Sequence, residues 1–446
     1  MTNFDNFDIL HVNPKMEYLL KDIGNRFLLA LKYKDYRTLW IANVCAGSAA
    51  WALIVARGWL VYVMTDSSGW AGLVTFMAMI PRFFATPLIG FLADRFDRQT
   101  VLSWTYILNV LNNIVLATLV SLPNSPMYTS AGPWILMVLA MLNGTFRAAQ
   151  MTTTQSLIPN LVPKEHLLNA VSLNQATQQG SRFLGPLAML IIIWISTMTP
   201  WSSSYIENAL AFWLCTAFYS VGLIQVLKIK TRSTGVVNAS KSFLANFLEG
   251  FKYVYSTPML SAIILLAIGH CALVMSYESM LPNLSEEKLG AKTVYDTALL
   301  MSGVGIGALI TAVLLAGLKG SKERGQIFLI LALASGVTPI VLGFSSAGSV
   351  SMIAAIFMGA SGAGFMTITH TIMQMYTPDE VRGRVSGVYQ MHIGVAMASA
   401  NWINGELSDY FTAPNVMIVG GVIFIIVVLA SLTTRFLRQL YYPATA

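Results

Sequence analysis

Charge is scarce in this chain. Lysine, arginine, aspartate and glutamate make up 11% of its residues, whereas a soluble globular chain carries roughly a quarter. That shortage excludes a string of water-soluble domains, although 446 residues would be long enough for several. Cysteine is scarcer still. Cys45, Cys215 and Cys271 all fall in apolar runs, at spacings that suit neither a disulfide framework nor a zinc site, and they read as small packing residues. No glycine-rich phosphate loop, nucleophile elbow or metal-ligand cluster can be traced, so neither an enzyme nor a pump driven by its own ATP hydrolysis is expected. A short basic start before an apolar stretch is also missing. The first 36 residues are polar and mixed in charge, which argues against a cleavable signal and leaves the first apolar run to direct insertion.

What the chain has instead is long apolar runs. Hydrophobic residues make up 55% of it and the mean hydropathy is +0.64. A helix needs about 20 apolar residues to cross the hydrocarbon of a bilayer, and a helix is the open-ended element that satisfies its own backbone hydrogen bonds there. Twelve such spans are expected near residues 38–64, 70–92, 100–122, 134–155, 168–197, 205–228, 258–282, 295–318, 325–345, 349–375, 384–407 and 413–436. The predicted fold class is an all-α polytopic membrane protein with twelve transmembrane helices in two six-helix bundles. Residues 1–37 form an N-terminal segment, in which Met16 to Lys34 has the spacing of an amphipathic helix lying on a membrane or packed on the protein. The first bundle occupies 38–228 and the second 258–436. A linker at 229–257 carries a surface helix over Phe243 to Tyr255, and 437–446 is a tail.

Lysine and arginine set the expected orientation, because loops rich in them stay in the cytoplasm. Of 27 such residues, two (Lys288 and Lys292) fall on one side, four lie inside spans, and the rest gather on the other side with both termini. Both termini are therefore expected in the cytoplasm of a bacterium, with the chain in its inner membrane. The net charge of +7 reports this asymmetry, and a nucleic-acid partner has no support. The halves also echo each other: Pro163-Lys-Glu165 with Asn174-Gln175 recurs as Pro378-Asp-Glu380 with Tyr389-Gln390, each proline-acid turn entering the fifth span of its half. Transporters are commonly built from such repeats, with the substrate site between them near mid-membrane.

The most charged short loop is Gly90-Phe-Leu-Ala-Asp94-Arg95-Phe-Asp97-Arg98-Gln99, between spans two and three. It resembles the signature loop of the major facilitator superfamily, with Asp97 where a glycine is usual. Gln155 to Pro163, Asn169 to Leu173, Gly185-Pro186, Leu248 to Tyr253 and Pro378 to Arg384 carry the same resemblance across nearly the whole chain. The branch it is most similar to contains siderophore exporters and macrolide efflux pumps. The resemblance implies a conformational latch of Gly90, Asp94, Arg95, Arg98 and Arg384. In it, Asp94 would accept hydrogen bonds at the start of span eleven, and Arg95 and Arg98 would meet carboxylates or lipid phosphate; the alternative is a set of charges that only caps the loop. Gly185 and Pro186 resemble an antiporter motif but lack its following glycines, so a helix kink is the competing reading.

Ionised side chains inside a membrane cost several kcal/mol unless they are paired or face water, which makes them functional candidates. Arg57, Arg82, Arg147 and Arg182 are all in the first half: Arg82 and Arg182 near their helix middles, Arg147 about two turns from the cytoplasmic end, and Arg57 nearer the outer face. Snorkelling of Arg57 and pairing of the others within the bundle is the alternative. Glu278 in span seven is the candidate proton carrier, with His270 about 80° around the same helix; His370 and His392 are weaker candidates. Gln178 and Gln179 could bond a substrate or bridge helices. The expected function is secondary active export of a small amphiphilic molecule, siderophore-like or drug-like, by alternating access as an antiporter. It needs no cofactor beyond a proton gradient, and no partners beyond substrate and membrane lipids, with the chain a monomer. An uptake permease or lipid flippase of the same fold, or a transport-inactive scaffold or receptor, are the alternatives.

Overall fold

The computed structural model describes residues 28–84, 96–198, 204–233, 243–316, 323–378 and 381–442. These residues form fifteen α-helices and no strand. The first half contains α1 (Lys34–Thr65), α2 (Ser68–Met79), α3 (Arg98–Ser121), α4 (Gly132–Leu161), α5 (Leu167–Thr197) and α6 (Ser204–Leu227). A surface helix, α7 (Phe243–Ser256), follows where the linker was expected to carry one. The second half contains α8 (Pro258–His270), α9 (Leu281–Leu289), α10 (Val294–Ala316), α11 (Glu323–Phe344), α12 (Gly348–Met375), α13 (Arg382–Phe411), α14 (Ala413–Ser431) and the short α15 (Arg435–Tyr441). Of the expected N-terminal amphipathic helix, only a 3-10 turn at Leu29–Lys32 lies within the described residues.

Nine helical segments among the described residues are long and apolar enough to cross a membrane. α4 and α13 are as long, at 30 residues each, but Asn143, Arg147 and Gln150 in α4 and His392, Asn401 and Asn404 in α13 lower their hydropathy. Polarity on a helix of that length marks one that faces protein or water rather than lipid.

Two expected spans are interrupted. In the second, α2 ends at Met79 and a further helical turn covers 81–84. Pro81 sits at the interruption, where it removes a backbone donor and its ring clashes with the preceding turn. The seventh is not the continuous helix expected over 258–282. After α8 the backbone widens into a π-turn at Cys271–Met275 and leaves the helical path from Ser276 to Met280 before α9 begins. Freed carbonyls are costly at membrane depth unless neighbours satisfy them. Here Asn404 of α13 donates to the Ala272 carbonyl at 2.9 Å and to Ser276 Oγ at 2.6 Å.

The helices of each half pack mainly on one another, and α2 along α13 and α5 along α10 join the halves. One apolar core runs from α1, α3, α4, α5 and α6 into α9, α10 and α12; two smaller ones lie within the second half. Small residues allow the closest approach between helices: a methyl group on Gly69 would lie 2.6 Å from Glu406, and Gly72 and Gly405 rest directly on the backbone of the facing helix. The α2–α13 seam is thus sealed at the end of the molecule where α1 finishes. Farther along α13, Gly387 and Gly394 face open space, as does Gly180 on α5. The gap between the halves opens toward the end where α1 begins, hereafter the basic end because most lysines and arginines gather there.

The linker is tied to both halves. Its first residues bind the first half, where Asp35 accepts from the backbone amides of Lys230 and Thr231 and from the Thr231 hydroxyl. Its helix binds the second half, through Arg384 and Glu249 at 2.6 Å and a hydrogen bond of 2.8 Å between Tyr255 and His392. Asp97 has a double role. It caps α3 by accepting from Thr100 N at 2.9 Å, and it receives Arg232 at 2.8 Å and Ser233 N at 3.0 Å.

Burial alone would raise the Asp97 carboxyl, but bonds from Arg232, Thr100 and Ser233 hold it below its ordinary value. A depressed folded value means that its stabilisation is present above the unfolded carboxylate range and disappears as pH falls through the folded value. Asp97→Ala should therefore cost about 1 kcal/mol at neutral pH, the usual worth of a helix cap. The unfolding temperature of purified protein should fall accordingly, with the gap to native closing below about pH 4.

Candidate substrate and coupling site

The halves meet at depth through an ion pair. Arg182 lies midway along α5 and is 5% exposed; Glu278 sits on the non-helical turn between the π-segment and α9 and is 1% exposed. Arg182 Nη2 is 4.0 Å from Glu278 Oε1, and the guanidinium stacks 4.3 Å from the ring centre of Trp51 on α1. Neither carboxylate oxygen of Glu278 accepts a well-formed hydrogen bond, although the Asn401 amide lies nearby, and Arg182 Nε donates none. Desolvating two ions costs several kcal/mol apiece, and only good geometry with further hydrogen bonds recovers it. This pair has neither, so it is attractive but incomplete. The stack on Trp51 contributes about 0.5–2 kcal/mol.

The break in the seventh span positions the carboxylate. It turns residues 276–280 inward, and Asn401 of α13 fixes them by accepting from Ser279 N at 3.1 Å. Tyr277 and Ser279 flank Glu278, both buried and with hydroxyls lacking partners. On the opposite wall, Gly305 of α10 packs against the backbone of Arg182 and Phe183, with no side chain to hold the helices apart. Gly185 does the same against α1, where it rests on the Ser48 carbonyl. The helix runs unbroken through Pro186 from Leu167 to Thr197, so close helix approach is the role visible for this dipeptide.

The other arginines separate. α4 continues to Leu161, which puts Arg147 at mid-helix rather than two turns from its end. Its Nη2 is 4.0 Å from where a methyl group on Gly47 would be, and Ser181 Oγ lies against the same point. Ser181 and Arg182 are adjacent on α5, so one faces Arg147 and the other Glu278. Arg82 is exposed and lies within electrostatic reach of Arg147 and Tyr219. Arg57 does not snorkel: it is 4% exposed, donates to the Leu53 carbonyl at 3.1 Å and neighbours Cys215 and Tyr219 inside the first half.

Because the seventh span breaks, His270 and Glu278 do not lie on one continuous helix, and the expected 80° relation between them does not hold. His270 is buried in the second half, 2.6 Å from Ser335 Oγ and stacked among Phe365 and Phe424, an arrangement of packing. Gln178 and Gln179 are half-buried on α5 near the open Gly180. His370 stacks on Tyr389 and His392 binds Tyr255, both away from the ion pair.

Gly90, Asp94 and Arg95 of the expected latch lie outside the described residues. Arg98 Nη1 donates at 3.0 Å to the Ser156 carbonyl and to Asn160 Oδ1, bracing α3 against α4. Arg384 is engaged by Glu249.

A latch is present at the opposite end, where the sequence reading placed none. Asp409, in the last turn of α13, accepts from the backbone amides of Ser68 at 2.7 Å and Gly69 at 3.0 Å and from the Ser67 hydroxyl. These are the first amides of α2, which have no partner within the helix, and the helix dipole favours an anion there. Expected span eleven stopped at 407, two residues short.

A model of the transmembrane secretion effector family matches residues 28–440. The chain belongs to that family, within the major facilitator superfamily. Among its relatives, the multidrug efflux pump Tap of Mycolicibacterium fortuitum is 23% identical over 357 residues, covering 78% of this chain and 82% of that one. Macrolide efflux protein A of Streptococcus pyogenes is 20% identical over 420 residues, covering 92% and 99%. The fold matches a D-xylose-proton symporter structure with a TM-score of 0.71 at 15% identity, covering 91% of this chain and 98% of that one. The family and the fold make this a membrane transporter and not an enzyme.

Two outcomes follow from the geometry. Arg182→Gln and Glu278→Gln should each lower the unfolding temperature by leaving one buried ion unpaired, while the double variant recovers most of the loss; additive losses would show that the two groups do not interact. Asp409→Ala should loosen the sealed end, so that a cysteine replacing the buried Ser68 at the seam in a cysteine-free background reacts faster with a membrane-impermeant thiol reagent than it does with Asp409 intact. Equal rates would mean that the cap does not hold the seam.

Proposed function

We propose that this chain is a proton-coupled exporter of small amphiphilic molecules, working by alternating access in a bacterial inner membrane. The observation that carries this reading is the Arg182–Glu278 pair, which links the two halves at the bottom of a gap sealed at one end and open at the other. The charge asymmetry assigns the open, basic end to the cytoplasm, so the conformation is one that loads from inside. Protonation of Glu278 would remove the attraction that ties α5 to the broken span, coupling a proton to the movement of one half against the other. Trp51, Tyr277 and Met280 supply apolar surface beside these charges, a mixture suited to an amphiphile. The efflux names carried by the relatives support outward transport. The chain is proposed to act as a monomer in lipid, with no cofactor beyond the proton gradient.

The test is transport in proteoliposomes with an imposed pH gradient, using a panel of lipophilic dyes and macrolides. Native protein should move at least one of them only when the gradient is present. Glu278→Gln should lose at least about tenfold of gradient-driven transport, equivalent to 1.4 kcal/mol, yet keep substrate exchange at zero gradient. Gradient-driven transport that survives intact in Glu278→Gln would remove this residue from coupling.

A further inference from the structure

Two arginines of the first half, the exposed Arg82 and the half-buried Arg147, have no counter-charge among the described residues. Arg182 has Glu278, but among the described residues neither Arg82 nor Arg147 has an ion pair or a hydrogen bond. The described carboxylates of this half lie at helix ends, in loops or, for Glu207, in the first turn of α6. Arg82 and Arg147 are close enough to feel each other's charge, so each worsens the other's position. An ionised group at membrane depth costs several kcal/mol even alone.

The surroundings add donors. Ser181 Oγ, the Tyr219 hydroxyl and Arg147 Nε are buried polar atoms without a partner, and the Tyr106 hydroxyl has the Gln150 side chain beside it. Ser181 meets Arg147 at Gly47, and Tyr106 and Tyr219 lie within electrostatic reach of Arg147 or Arg82. Native proteins leave few such atoms unsatisfied. A cluster of them around two unpaired cations is the complement of an anion. The site is also reachable: Arg82 is exposed, it follows the break at Pro81, and Gly180 on the neighbouring α5 faces open space.

The geometry points to an anion-binding site between Arg82 and Arg147, one that takes a carboxylate, phosphate or acidic phenolate group of an amphiphilic ligand. Guanidinium groups bind such oxygens with two parallel charge-assisted bonds, and the serine and tyrosine hydroxyls complete the shell. The inference rests on reading the chain as a transporter and narrows its substrates to anions; a lipid headgroup has the same chemistry. In this arrangement the ligand supplies the negative charge that the described surroundings of Arg82 and Arg147 lack, while the Arg182–Glu278 pair remains internally balanced.

The probe is radiolabelled naphthoate, with naphthylmethanol as its neutral counterpart and naphthylmethylamine as its cationic one. Binding is measured by scintillation proximity on full-length protein in nanodiscs of phosphatidylcholine. Naphthoate should bind saturably, more weakly as salt rises, and in preference to both counterparts. Arg82→Gln and Arg147→Gln should each weaken it about tenfold, the loss of one charge-assisted bond, while Arg82→Lys and Arg147→Lys keep the preference for the anion. Adding phosphatidylglycerol to the nanodiscs separates the two sources: competition with naphthoate assigns the site to a lipid headgroup, and its absence assigns it to the transported solute. Equal binding of naphthylmethanol, or naphthoate binding untouched in well-folded glutamine variants, would overturn the site. Dye transport by the same variants in proteoliposomes is an independent readout, so the anion site can fail while export stands, and the reverse.

Discussion

A guanidinium and a carboxylate sealed from water on opposite halves of the molecule are the constraint around which the structure is arranged. Neither Arg182 nor Glu278 is tolerable alone at that depth, so the halves must meet there whenever both are charged. The broken seventh span exists in these terms: a continuous helix would carry residue 278 past α5, whereas the π-turn and the loop after it deliver it to Arg182. Asn401 and Asn404 of α13 then take up the backbone groups that the break exposes. Gly305 and Gly185 let α10 and α1 close on α5 around the arginine. The incomplete hydrogen bonding of the pair leaves it easier to separate than a saturated ion pair would be.

The fold was largely legible in composition and periodicity, because apolar length and charge placement are local properties of the chain. Helices that cross the membrane announce themselves by what they exclude, and Glu278 stood out for the same reason. Polar helices were legible by another route: α4 and α13 fall short on hydropathy, yet the two-half plan required them. What stayed hidden depends on main-chain geometry. Nothing in Cys271-Ala-Leu-Val-Met275 signals a π-turn, and without it His270 and Glu278 fall two turns apart on one continuous helix. Partner choice was hidden too. Arg384 was expected to serve a latch with the loop of Asp94, and in this conformation it holds the linker helix through Glu249. Asp409 was passed over because the span containing it was ended two residues early. Arg147 was placed too near one surface because its helix runs on through Pro159 to Leu161.

The linker anchors give the two halves different relations to the same segment. Asp35 and Asp97 hold its start by hydrogen bonds to backbone amides as well as to side chains, while α7 rests on α13 through Phe251, Tyr255 and His392. Tying one segment to both halves keeps them in a single mechanical unit even where their direct contacts open toward the basic end.

The cap formed by Asp409 also has a genetic consequence. Its carboxylate is a side chain and can be altered by substitution, but the groups it holds are mainly the amides of Ser68 and Gly69, which almost every residue provides. Proline is the exception, and it is often accepted at the start of a helix. The hydrogen bonds of the cap therefore have one partner that mutation can tune and another that mutation can scarcely reach. What drift along α2 can alter is the close packing at Gly69 and Gly72, so inherited variation in this closure is channelled through those glycines and position 409.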